Sequence, residues 1–279
     1  MAGPYGAPRD YLDMPAAEPD QYGLFSVATF PDPDQVRFLN GINWEPVEGE
    51  RSLGRVAGCV DLDYNEQLDL QAGVPFATAL PFIAASSYVC KATSRPVEEA
   101  EERALAALAV GEQRLVERAI STGELGNEPS FASASDLTPT PGTAVSAAMA
   151  VGILEEALSE FSGQVGVLHA PRRFAAFLAT EPLAWRKERT GTAESSLGNL
   201  WSFGGGYASD APNGAPSAGD GEAWLFATVR PMIFRSDPFT QPDPDKYVKR
   251  DSNDLAILAQ RHYLVGWPYG TFAVLANMT

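Results

Sequence analysis

Pro96-Val-Glu-Glu-Ala-Glu-Glu-Arg-Ala-Leu-Ala-Ala-Leu-Ala-Val-Gly-Glu-Gln-Arg-Leu-Val-Glu-Arg-Ala-Ile-Ser-Thr122 is the stretch whose reading decides the fold. Val97, Ala104, Leu108, Leu115 and Ala119 recur at spacings of 7, 4, 7 and 4, which places them on one stripe of a helix. Ser94 is a candidate cap and Pro96 suits the first turn. Glu98, Glu99, Glu101 and Glu102 crowd the end where the helix dipole favours negative charge. Glu99 and Arg103 form a favourable i,i+4 pair, Arg114 and Arg118 fall toward the carboxyl end, and Gly123 can terminate the helix. Gly111 weakens the middle by roughly 1 kcal/mol against Ala. A helix over 96–122 is roughly 40 Å long at 1.5 Å per residue. It is a girder, and by itself proves no assembly.

Outward toward the N-terminus, Arg55–Asp61 and Pro81–Cys90 read as strands, with the acidic stretch Asp61–Gly73 as the tip of an extended hairpin. Residues 1–40 are rich in Pro, Asp and Gly, with Tyr5, Tyr11, Tyr22, Phe25 and Phe30 interspersed. Such a segment buries too little of itself to fold alone. It is either a loose tail or an arm that orders on a neighbouring subunit.

Outward toward the C-terminus, Gly126–Gly142 reads as a loop, Thr143–Phe161 as a helix, Val165–His169 as a short buried strand and Arg172–Ala179 as a third helix. Ser195–Asp220 is Gly-, Ser- and Ala-rich, a mobile loop by composition. Trp224–Arg235 reads as a strand, Ser236–Asp245 as a Pro-rich connection and Asp254–Gln260 as a short helix. Arg261–Trp267 and Thr271–Ala276 read as a hairpin across Pro268-Tyr-Gly270. Helix, strand and helix in succession suggest an α/β or α+β layer.

Composition limits the function. With 45% hydrophobic and 20% charged residues, the 279-residue chain can bury a real core. A net charge of −16, with only four lysines (Lys91, Lys187, Lys246 and Lys249), argues against direct phosphate binding. Cys59 and Cys90 make no disulfide framework and read as packing residues. No signal peptide is visible at the N-terminus, and the uncharged stretches 73–90 and 137–154 contain prolines, so no membrane span is expected.

No chemical signature stands out. A P-loop, a nucleophile elbow and a paired-histidine zinc motif are absent from the sequence. Asp61-Leu-Asp63-Tyr-Asn65 begins like a calcium loop, but Glu66 and Ala72 occupy the positions that need Gly and Glu. Gly204-Gly205-Gly206 lacks dinucleotide-fingerprint spacing and reads as loop. His169 and His262 have no local partner pattern and read as structural, and nothing supports a Cys90–His169 nucleophile pair. No catalytic, cofactor or metal residues are assigned, and the chain is not expected to be an enzyme.

The order of elements, together with Tyr22–Val27, Ala106–Arg114 with Glu117, Val165–Pro171, Leu197–Tyr207 and Gln260–Trp267, resembles the major capsid protein of tailed bacteriophages, especially those infecting actinobacteria. The resemblance implies an α+β, HK97-like capsid fold. It implies an N-terminal arm at 1–40, an extended loop region at 41–92, a peripheral domain at 93–139 and 256–279 containing a spine helix at 96–122, and an axial domain at 140–255 with Ser195–Asp220 toward its tip. The implied function is self-assembly, through hexamers and pentamers, into an icosahedral head around double-stranded DNA that is confined without sequence-specific binding. Separate scaffolding, portal and decoration proteins are the further partners it suggests. The place would be the virion, with assembly in the host cytoplasm. A lysine cross-link in the extended loop itself, at about 45–80, is not expected, because Lys91 is the first lysine and lies beyond it. An encapsulin-type nanocompartment shell is the alternative within the same fold.

Overall fold

The computed structural model describes residues 20–32, 37–45, 76–91, 96–178, 185–187, 192–207, 211–242, 247–249, 252–268 and 270–278. In chain order the first elements are α1 (Leu24–Val27), β1 (Ile42–Trp44), β2 (Ala77–Ala79), β3 (Pro81–Lys91) and α2 (Val97–Thr122). Next come β4 (Ser135–Asp136), β5 (Val145–Ser146), α3 (Ala147–Ser162), β6 (Gly166–Pro171), α4 (Phe174–Leu178), β7 (Trp185–Lys187), β8 (Thr192–Glu194) and β9 (Leu200–Gly204). The chain closes with β10 (Glu222–Val229), β11 (Met232–Arg235), β12 (Phe239–Gln241), β13 (Val248–Lys249), β14 (Asp254–Gly266) and β15 (Phe272–Asn277).

The predicted girder forms as α2, a helix of 26 residues. Gly123 stops it in the left-handed conformation (φ 69°), and its N–H donates to the Ala119 carbonyl at 2.8 Å. Glu99 and Arg103 make their i,i+4 contact at 3.4 Å. The buried stripe runs through Ala100, Ala104, Leu108, Val116, Ala119 and Ile120, whereas Val97 and Leu115 are only half-buried. The small alanines let the helix approach β3 and β14 closely, and Leu108 fills the space between.

That underlying layer is a five-stranded sheet centred on β14, among the described residues. β3 pairs with β14 antiparallel over eleven residues, from Lys91 opposite Asp254 to Pro81 opposite Leu264. On the other edge of β14, β11, β12 and β13 pair in turn. A second sheet, of eight strands among the described residues, runs β4-β15-β10-β6-β9-β8-β7, with β5 also on β15. One of its faces packs on α3 and α4 through Leu154, Leu158, Phe174, Leu168, Leu225 and Val274. Its opposite face, through Trp224, Phe226 and Leu275, joins the core under α2, where Phe131 stacks on Phe226 at 4.7 Å.

Several expectations need correction. Residues 254–260 are the start of a long strand, not a helix, because Leu255, Ile257 and Ala259 alternate inward against β3's partners. No hairpin joins 261–267 to 271–276: β14 stays in the five-stranded sheet, while β15 crosses to pair with β10. Trp224–Arg235 is two strands in two sheets, broken at Arg230-Pro231. The loop expected at 195–220 contains the buried strand β9, and the connection 236–245 contains β12. The helix expected over 143–161 runs from Ala147 to Ser162, capped by Ser146. The strands and hairpin tip expected over 55–73, Ser94 and Cys59 lie outside the described residues.

Candidate functional site

The residues with chemical potential are dispersed. Cys90 lies half-buried on β3 opposite Leu255, while His169 lies on β6 in the other sheet, so the two do not form a pair. His262 is on β14 and stacks on Phe239, with ring centroids 5.1 Å apart. The stretch 61–72 lies outside the described residues. Among the described residues no group of three or more His, Cys, Asp and Glu side chains could hold a metal ion, and no helix is long and apolar enough to cross a membrane.

His169 is fully enclosed. Its Nδ1 is 2.9 Å from the Tyr207 hydroxyl and its Nε2 is 2.8 Å from Thr228 Oγ1, with Phe131 against the ring. Tyr207 in turn shares a 2.6 Å hydrogen bond with Ser202. Burial pushes the imidazole down to about 3, so near neutral pH it is uncharged and serves as a core linker. The same burial, and then the neighbouring Glu117 charge, pushes the Tyr207 hydroxyl well above its ordinary range.

The most built feature is the junction around Glu117, on the inward side of α2 and 1% exposed. Its carboxylate accepts the Leu24 N–H at 3.0 Å through Oε1 and the Gly206 N–H at 2.9 Å through Oε2. One side chain thus ties the spine to α1 and to the loop after β9. Desolvation raises its pKa, the two backbone donors oppose that rise, and nearby Asp20 adds to it while Arg172 offsets it. Glycine is required here by close approach. A Cβ on Gly206 would lie 2.0 Å from the Arg114 carbonyl, and one on Gly23 would lie 2.1 Å from the Gln113 amide. The Gly204–Gly206 run, read as plain loop from sequence, is a docking surface for the spine.

Residues 20–29 are fastened to their own chain by further bonds. Tyr22 O accepts the Phe203 N–H at 2.7 Å, Arg230 Nε donates to Val27 O at 2.7 Å, and Thr29 bridges to the start of β11. Within the chain, this part of the N-terminal segment is thus held against α2, β9 and β11. A second buried glutamate, Glu112, receives two bonds from Arg261 of β14 at 2.8 and 3.0 Å. Sequence reasoning assigned neither glutamate. Their sole local signal is a position on the apolar side of the helix, where a carboxylate must find donors.

Comparison with known proteins adds the last observation. No protein-family model matches the chain, and no curated protein sequence matches it. Solved structures do. The capsid of an empty GTA particle is 12% identical, with 97% of this chain and 95% of that one covered and a TM-score of 0.56. The capsid of Ralstonia phage GP4 is 9% identical, with coverages of 98% and 96% and a TM-score of 0.55. A chain from Mycobacterium phage Che8 is 16% identical, with 98% of both chains covered and a TM-score of 0.52. At such identities the likeness speaks for the fold, and it spans nearly the whole of each chain. With its few helices and large sheets, the chain has the α+β, HK97-like fold that these structures share.

Proposed function

We propose that this chain is a major capsid protein that assembles with copies of itself into the icosahedral head enclosing a phage's double-stranded DNA. The observation that carries this reading is the extent of the match: the capsid chains of an empty GTA particle and of Ralstonia phage GP4 align over 95% or more of their own length. A subunit that differs from shell proteins by a whole inserted or missing domain would not align end to end. The net charge of −16 fits a shell that confines DNA without gripping its phosphates.

In this reading hexamers and pentamers are the building units, and repeated use of one set of contacts under closed symmetry completes the particle. Residues 1–40 serve as the arm, 41–92 as the extended loop region, 93–139 with 256–279 as the peripheral domain around α2, and 140–255 as the axial domain. The chain works as a structural protein without catalysis, in the virion, after assembly in the host cytoplasm. Scaffolding, portal and decoration proteins are its proposed further partners. The structures this chain resembles include phage and GTA particles, and no observation favours an encapsulin compartment. Negative-stain electron microscopy of the purified chain tests the proposal. Closed shells or capsomer-sized rings are expected, and a protein that remains monomeric at every concentration overturns it.

A further inference from the structure

α3 has two unlike sides. Ala150, Leu154 and Leu158 point into the core, while Met149, Ile153, Glu156 and Glu160, at spacings of 4, 3 and 4, form a stripe on the other side. Beside that stripe, the turn between β8 and β9 carries Leu197. The turn is tightly bonded. Ser195 N–H donates to Asn199 O at 2.8 Å, Asn199 N–H donates to Ser195 Oγ at 3.2 Å, and Asn199 Oδ1 accepts the Gly166 N–H at 2.8 Å. The buried Glu155 of α3 accepts the Ser195 hydroxyl and, at 3.4 Å, the Asn199 amide, which fixes turn and helix to each other. Between them lies an open groove of about 750 Å³. Leu197 is 73% exposed and Met149 55% exposed along it, with Ile153 half-buried. Large apolar side chains are thus held in water by a bonded frame rather than by a loose loop.

The charge of this groove serves nothing inside the subunit. Glu156 and Glu160 are exposed, and among the described residues neither has an ion-pair partner. No Lys or Arg lines the groove, and none occurs between Ala147 and Pro171. Both glutamates also sit in the carboxyl-terminal half of α3, where the helix dipole disfavours negative charge, and the last turn holds no basic residue. We propose that this groove seats a basic amphipathic helix of a protein other than this chain. The apolar side of that helix rests on Met149, Ile153 and Leu197, and its lysines or arginines meet Glu156 and Glu160. A second copy is the poorer occupant. It carries a charge of −16, and its long helices α2 and α3 each hold more acidic than basic residues. A preformed groove limits the ordering cost of binding, and its unpaired carboxylates select the sign of the partner's charge. The inference stands apart from the shell reading.

The test uses the unassembled full chain and a fluorescein-labelled synthetic helix of Leu, Ala and Lys with its leucines on one face, read by fluorescence anisotropy. A scrambled peptide of the same composition and an analogue with Glu for every Lys are the controls. The patterned peptide should bind wild type at least several-fold tighter than either control, and more weakly as salt is added. Leu197→Ser should weaken it several-fold. Glu156→Gln/Glu160→Gln should do the same and flatten the salt dependence. All three positions are exposed, so the unfolding midpoints should match that of wild type. Hydrogen exchange reads the same surface without any variant, and bound peptide should slow exchange in α3 and residues 195–200. Equal binding of patterned and scrambled peptides, unchanged binding by either variant, or protection confined to other elements overturns the inference. So does loss of self-association in Leu197→Ser with peptide binding intact, because the groove then belongs to a second copy.

Discussion

The two sheets of this chain bury their strands in opposite ways. In the eight-stranded sheet β10, β6 and β15 are buried at almost every position, because helices lie on one side and the core around Phe131 on the other. Their sequences are accordingly near-continuous apolar runs, Ala223–Val229 and Phe272–Ala276. β3 alternates instead, with Phe82 and Ala84 inward and Ile83 and Ala85 exposed on the face away from α2, a face that Phe38, Ala79 and Trp44 cover only at its Leu264 end. The doubly covered sheet has spent its surface on the fold of the single subunit. The five-stranded sheet instead leaves the outward residues of β3 exposed on the face away from α2.

The comparison can be tested by substitution. The largest effect is expected from Leu108→Asp, which forces an unpaired charge between α2 and the covered face of the five-stranded sheet. A loss of about 4 kcal/mol or more should leave no folded protein by circular dichroism. Leu225→Ala in the doubly covered sheet should cost about 2–5 kcal/mol in denaturant unfolding. Val89→Ala on the open face should change stability by no more than about 0.5 kcal/mol. Equal losses at these two sites would break the distinction between the sheets.

A pH measurement sharpens the same contrast from inside the buried sheet. His169 stays uncharged in the folded chain until about pH 3, whereas the unfolded chain takes up that proton below its ordinary value of 6.5. The stability it supports is therefore complete above pH 6.5 and is lost as pH falls. The loss is roughly 1.4 kcal/mol per pH unit, or about 2 kcal/mol by pH 5. Measured against His169→Gln, wild type should show this extra acid sensitivity, and parallel pH profiles would refute the enclosed geometry.

Two glycines on or against α2 give further tests. Gly206→Ala drives a methyl group into the Arg114 carbonyl of α2 and should destabilise by about 1–3 kcal/mol. Gly111→Ala, at an exposed mid-helix position with open space around it, should stabilise by about 0.5–1 kcal/mol in thermal unfolding.

Much of the fold was legible where the signal is local. α2 follows from apolar spacing, acidic first turn and Gly123, and β3 and β6 follow from short runs bounded by turn residues. Asp254-Leu-Ala-Ile-Leu-Ala-Gln260 misled because Leu and Ala favour helices, and period-2 burial emerges only when β3 lies alongside. The candidate site was almost wholly illegible. Glu112 and Glu117 look like ordinary solvated helix glutamates, and the Gly204–Gly206 run looks like a plain loop.

The sequence by itself determined the girder, the acidic charge and the lack of catalytic signatures, since each is read directly along the chain. The tertiary structure alone decided that β14 and β15 part into different sheets, that Glu117 clamps the N-terminal segment to the spine, and that Ile83 and Val89 of β3 stay exposed. Those outcomes depend on contacts between residues far apart in sequence. Pairing free energies and the desolvation of buried carboxylates select among partners there, and no local pattern encodes that choice.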